Sequence, residues 1–244
     1  MKAEQLQLAL RPRPAYEAVD LGVQMTQRSG RSLVRAYLPL ALLLVAACGA
    51  TIEIAPWLPS TLLWWFKPWL DRTLLHVYAR QAFGEETRFN DAWEARRNAP
   101  WLTMLERLTI WRLSFWRSYS MPVTQLEGQT GSARRQRVKA IVRNHRGAAM
   151  MTQSAFSWIE LFLMLGLLSL LPWMTPGLRS IDALRWLGGE TLLATGVLYA
   201  AHAVAVLFVE PFFVASGFAM YLNRRVELEA WDVEQDLRHA FAAR

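Results

Sequence analysis

The sequence predicts an all-α fold: a polytopic transmembrane helical bundle of about four spans, with amphipathic interfacial helices. Three observations carry that expectation. Of the 244 residues, 53% are hydrophobic, and they gather in blocks rather than spreading evenly. The blocks at 36–52, 155–174 and 191–209 are almost free of charge and close to the length that crosses a bilayer core. Seven of the twelve tryptophans (Trp57, Trp64, Trp65, Trp69, Trp158, Trp173 and Trp186) sit in or beside apolar blocks, where indole rings favour the headgroup level. A tryptophan-rich soluble core would leave the uncharged runs unexplained.

The first 35 residues are polar and basic. A helix is expected from Pro14, which suits a first turn, to Gly30, which suits a cap. Its thin apolar stripe of Ala18, Leu21, Gly22 and Met25 suits a helix lying on a membrane surface. The first span covers 36–52, extended by Leu33 and Val34, with Arg28, Arg31 and Arg35 at its start. Pro56 and Pro59 then favour a reversal.

The next segment, WWFKPWLDRTLLHVYARQAF, begins apolar and then turns charged. Residues 60–66 alone reach only about 10 Å as a helix, so a complete return needs the helix to run to about Ala82. Phe66, Leu70, Leu74 and Val77 share one face, while Arg72, His76 and Arg80 form a row on the other. Pro68 is expected to kink this helix. Twelve Lys and Arg lie in 83–154, six in the first 37 residues, and none and two in the candidate outer loops. The positive-inside tendency therefore favours a full return, which makes 36–82 a membrane hairpin with both chain termini cytoplasmic. A shallow hairpin in which 33–69 dips in and re-emerges predicts the same sidedness and remains the rival.

Residues 83–154 read as a basic cytoplasmic or interfacial module of short helices. Trp111, Phe115, Trp116 and Tyr119 interleave with Arg112 and Arg117, a pattern suited to headgroups or to a small helix packed on its own core. A second helix, with Ser132 as its expected N-cap, sets Arg135, Lys139 and Arg143 on one face. Arg112, Arg117, Arg134, Arg135, Arg137, Lys139 and Arg143 are the candidate contacts for anionic phospholipid. Residues 155–218 form a second transmembrane hairpin, in which Glu160 is the one charge in the third span and Pro211 is expected to break or bend the fourth. Residues 219–244 form a cytoplasmic helix whose acidic positions, Asp232 and Asp236 among them, suit docking onto the basic module.

The formal net charge of +7 comes from 24 arginines and three lysines. Nucleic acid is excluded as a partner, because the basic residues flank apolar blocks and no zinc-finger, RNA-binding or recognition-helix pattern occurs. Cys48 is the lone cysteine, so no intrachain disulfide can form. Its setting, LLLVAACGA, looks like a lipoprotein cleavage site, but a long charged segment precedes it. No cleavable signal peptide is expected, and the first span should be retained as an anchor.

No catalytic constellation, metal-ligand spacing or cofactor motif stands out, so no catalytic residue, metal or cofactor is expected. The ionisable residues at membrane depth are the candidate polar cluster: Lys67, Asp71, Arg72, His202 and Glu210. Lys67 and Asp71 are expected to pair one turn apart. These groups suit either bundle pairing or a ligand.

Three stretches carry a family resemblance: LRPRPAYEAVDLG, WWFKPWLDRTLLHVYARQAFGE and EPFFVASGFAMYLNRRVELEAWDVEQDLR. Together they resemble uncharacterised bacterial multi-pass membrane proteins, loosely similar to the membrane-domain family found beside glycerophosphodiester phosphodiesterases. The resemblance implies an inner-membrane helical protein, encoded near MoxR-type ATPases and transglutaminase-like membrane proteins, and hence membrane or ATPase partner proteins. It supplies no catalytic residue, and the chain lacks a phosphodiesterase barrel. The function expected first is a non-enzymatic inner-membrane scaffold or assembly component that binds anionic lipid and partner proteins, with a homo-oligomer among the arrangements. A transporter or lipid-handling protein using the intramembrane charges comes second, and an intramembrane enzyme of unrecognised class third.

Overall fold

A computed structural model describes residues 12–85, 87–97, 116–174, 180–188 and 191–229. All regular structure among these described residues is helical. Helix α1 (Ala15–Arg28) leads into α2 (Gly30–Gly49), whose early part, Leu33–Tyr37, is a π-helical turn. Then follow α3 (Leu58–Ala82), α4 (Phe89–Arg97), α5 (Arg117–Gln125), α6 (Gly131–Val142), α7 (Arg146–Met174), α8 (Ser180–Leu187) and α9 (Leu192–Glu229).

Three helices are long and apolar enough to cross a membrane: α2, α7 and α9 through Leu228. Helix α3 has the length, with 25 residues, but Lys67, Asp71, Arg72 and Arg80 lower its hydropathy. Helix α7 is apolar nearly all round. Trp158, Ile159, Leu161, Phe162, Leu165, Leu170 and Trp173 are exposed on it, as suits a helix whose solvent is hydrocarbon.

Helix α9 organises the molecule in two tiers. Its 38 residues extend about 57 Å, nearly twice a hydrocarbon core. The first half runs beside α2 and α7, and Tyr199 Oη donates to the Val45 carbonyl at 2.5 Å. In the second half Phe213, Val214, Ala215, Phe218, Ala219, Met220, Tyr221 and Val226 are buried, enclosed by α1, α5 and the start of α7.

Several expectations are corrected here. Pro211 does not break the last span, because α9 continues through it to Glu229. The neighbouring helices engage this point: the Pro211 carbonyl accepts from Tyr78 Oη at 3.0 Å and Thr26 Oγ1 at 3.5 Å. Helix α7 begins at Arg146 rather than near 155, and Thr130, not Ser132, stands at the N-cap of α6.

Helix α1 is also more than a surface helix. Its Ala18, Gly22 and Met25 are buried with Thr26, because the stripe lies along α9. A Cβ on Gly22 would stand 2.4 Å from Ser216 Cα, and one on Gly217 would stand 2.4 Å from Ser118 Cβ. The two glycines let α1 and α5 close on successive residues of α9. The expected docking through Asp232 and Asp236 lies outside the described residues.

Candidate functional site

A cluster of charged side chains lies where the two tiers meet. Helix α3 supplies Lys67 and Asp71, one turn apart and so on one face. Helix α9 supplies Glu210 and, two turns towards its start, His202. Helix α7 supplies Glu160, the single charge within its apolar run, and α5 delivers Arg117 from its first position.

Lys67 Nζ lies 2.5 Å from Glu160 Oε2 and 2.7 Å from Glu210 Oε2. Arg117 bridges the other side, with Nη2 donating to Glu210 Oε1 at 3.0 Å and Nε lying 3.2 Å from Asp71 Oδ2. The Arg117 guanidinium also sits over the Phe213 ring, 5.3 Å from its centroid, a favourable cation–π position. His202 Nε2 is 3.7 Å from Glu160 Oε1, longer than a hydrogen bond.

Water is almost absent from the centre: Lys67 is 7% exposed, Asp71 0% and Glu210 1%. Ionised groups so placed are tolerable only in company, because desolvation is costly and mutual attraction must offset it. Glu210 receives two cations and Lys67 two carboxylates. Asp71 fares worst. Arg117 Nε approaches it off the hydrogen-bond direction, and neither Asp71 oxygen accepts a bond from a donor among the described residues. The Tyr37 hydroxyl, on the π-helical turn, is 2% exposed and also without a partner.

Of the five residues anticipated in the intramembrane cluster, four come together. Lys67 and Asp71 do not pair with each other: Lys67 is drawn to Glu160 and Glu210, and Asp71 faces Arg117. Arg72 stays apart. Its carbonyl accepts from Gln125 Nε2 at 2.7 Å, and its Nη1 is buried without a hydrogen-bond partner. Glu160 and Arg117 are the members that the sequence reading left out of the cluster. An isolated charge in the third span was the signal for Glu160, whereas nothing local marks Arg117, whose carboxylate Glu210 is 93 residues away.

The candidate lipid contacts divide. Arg117 points inward, its side chain 14% exposed. Arg134 Nε donates to Thr124 Oγ1 at 2.6 Å, and Arg137 makes a two-pronged bond to Glu127 at 2.8 and 3.0 Å. The same Glu127 accepts from Tyr221 Oη at 2.6 Å, so Arg137 ties α6 to α9 through it. Arg135 and Lys139 remain exposed on α6 beside its buried Val138, Ile141 and Val142, as does Arg143 at its C-cap. Arg112 lies outside the described residues.

Chemically, the cluster can hold charge and exchange a proton. Among the described residues no group of His, Cys, Asp and Glu is arranged to hold a metal ion. No family model, no curated protein and no solved structure matches the chain.

Proposed function

We propose that this protein is a non-enzymatic scaffold of the bacterial inner membrane, in which a buried ion cluster fastens the apolar helices to a basic cytoplasmic layer that grips anionic phospholipid. One observation carries the reading. Lys67, Arg117 and Arg137 turn inward onto the chain's own carboxylates, whereas Arg135, Lys139 and Arg143 form an outward row along α6 and its C-cap. The outward row lies in the helix that leads, through a short turn, into the exposed apolar helix α7. Arg146, also exposed, continues it to the first turn of α7. A row so placed meets the headgroup layer as α7 enters hydrocarbon, and each arginine or lysine near an anionic leaflet contributes about 1 kcal/mol.

In this reading α3 makes the fourth crossing, as the distribution of basic residues favours, and both termini are cytoplasmic. Partner proteins, an ATPase among them, and a second copy of the chain would assemble on that platform. The transport rival has one observation in its favour, the unanswered carboxylate of Asp71.

Charge reversal of Arg135, Lys139 and Arg143 to Glu tests the lipid grip. Native mass spectrometry of the purified variant should show bound phosphatidylglycerol reduced at least tenfold. Melting in lipid-free detergent should stay close to that of the wild type, because none of the three side chains is buried. Undiminished phosphatidylglycerol on the triple variant would sink the reading.

A further inference from the structure

The cluster between the tiers contains three carboxyl groups, Asp71, Glu160 and Glu210, and two permanent cations, Lys67 and Arg117. If every acid were ionised and His202 neutral, two positive and three negative charges would leave a surplus of one negative charge. That surplus would sit among residues that water scarcely reaches. An uncompensated buried charge is among the most costly features a fold can carry.

Geometry locates the surplus. Asp71 is wholly buried, and among the described residues neither of its oxygens accepts a hydrogen bond from a fixed donor. Its carboxyl group shares one guanidinium with the Glu210 carboxyl, Arg117 standing 3.2 Å from Asp71 Oδ2 and 3.0 Å from Glu210 Oε1. Two ionised carboxylates are both pure acceptors and repel. They approach each other stably only when one carries the hydrogen. Glu210 already faces Lys67 and Arg117, and so is the better seat for the negative charge. The Tyr37 hydroxyl, on α2, is another buried polar group without a hydrogen-bond partner among the described residues.

We propose that the cluster is a proton-binding site, with one proton carried on Asp71 and donated to the Glu210 carboxylate. The groups that set its environment come from every helix around it. They are Lys67 on α3, Tyr37 on α2, Arg117 on α5, Glu160 on α7, and Glu210 with His202 on α9. With the proton in place the charges sum to zero. Asp71 becomes a donor, and the tier junction is a neutral, closed network. The inference is independent of lipid binding by α6, since none of the exposed basic row takes part.

Infrared spectroscopy of the full-length protein in neutral phosphatidylcholine bilayers tests it, with choline as the only added cation at neutral pH. The wild type should show a carboxylic-acid C=O band that shifts in D2O. Asp71→Asn should abolish it. Glu210→Gln should abolish it too, because two carboxylates against two cations balance without a proton. His202→Gln should retain it. If one of the Asp71 and Glu210 variants does not fold, the other still decides, and the wild-type band is informative alone. Absence of the band in the wild type, its survival in Asp71→Asn, or its loss in His202→Gln would overturn the proposal. A band that vanishes when sodium replaces choline would assign the missing charge to a metal ion and would overturn it as well.

Discussion

Lys67 is the residue on which the junction turns, because its ammonium stands between Glu160 and Glu210 and no other cation reaches both. Lys67→Met keeps the stem that packs between helices and removes the charge. Two carboxylates then lose their shared partner in a dry site, and breaking a buried pair in this way costs about 3–5 kcal/mol. Chemical unfolding in detergent should register the loss as a lower midpoint with an unchanged slope. The triple change Lys67→Met, Glu160→Gln, Glu210→Gln should recover a large part of it, since amides need no counter-charge. If the triple variant is as unstable as the single one, charge pairing is not what Lys67 contributes. This residue was legible from the sequence because a charge inside an apolar run is conspicuous. Its partners were not, because Lys67 and Glu160 are 93 residues apart and one-dimensional spacing shows only neighbours one turn away. The aromatic neighbours of Arg117 suggested headgroups for the same reason.

Between elements, the closest approaches are made by glycines on α1 and α9. Substituting Gly22 by Ala puts a methyl group 2.4 Å from Ser216 Cα, a backbone atom that cannot rotate away. Helix α1 must then lift from α9, and overpacking of this kind costs about 1–3 kcal/mol. Thr26, which bonds the Tyr78 hydroxyl at 3.2 Å, should be loosened with it. Limited proteolysis should cut Gly22→Ala within α1 faster than the wild type. Gly30→Ala is the control: a Cβ there meets nothing within 4 Å, and alanine favours the helix, so its cutting rate should not rise. Equal rates for all three proteins would contradict a tight crossing. The stripe of Ala18, Leu21, Gly22 and Met25 was readable as an apolar face. What covers the face was not, because amphipathicity reports that a helix has a dry side without saying whether lipid or another helix dries it. A break at Pro211 was expected for a related reason: proline weakens an isolated helix, but α9 packs against α1 and α3 here and stays helical through it.

At the scale of the whole molecule, the scaffold reading puts the turn after α2 and the exposed face of α6 on opposite sides of the bilayer. Helix α2 has the length and apolarity to cross, and Glu53 and Ile54 beyond its end are exposed. Arg135 is exposed at the other end of the structure, in the layer built on the second half of α9. Cys48 is buried, so Cys48→Ala gives a background in which a single new thiol reports its own position. In sealed cells, a membrane-impermeant maleimide should label Ile54→Cys and spare Arg135→Cys until the membrane is opened. A cysteine at Asp71 should be shielded from both sides, since that position is wholly buried at the tier junction. The shallow-hairpin alternative makes a different demand, because a hairpin that dips and re-emerges leaves position 54 out of reach from outside the sealed cell. Labelling of Ile54→Cys only after permeabilisation would therefore remove the crossing by α2.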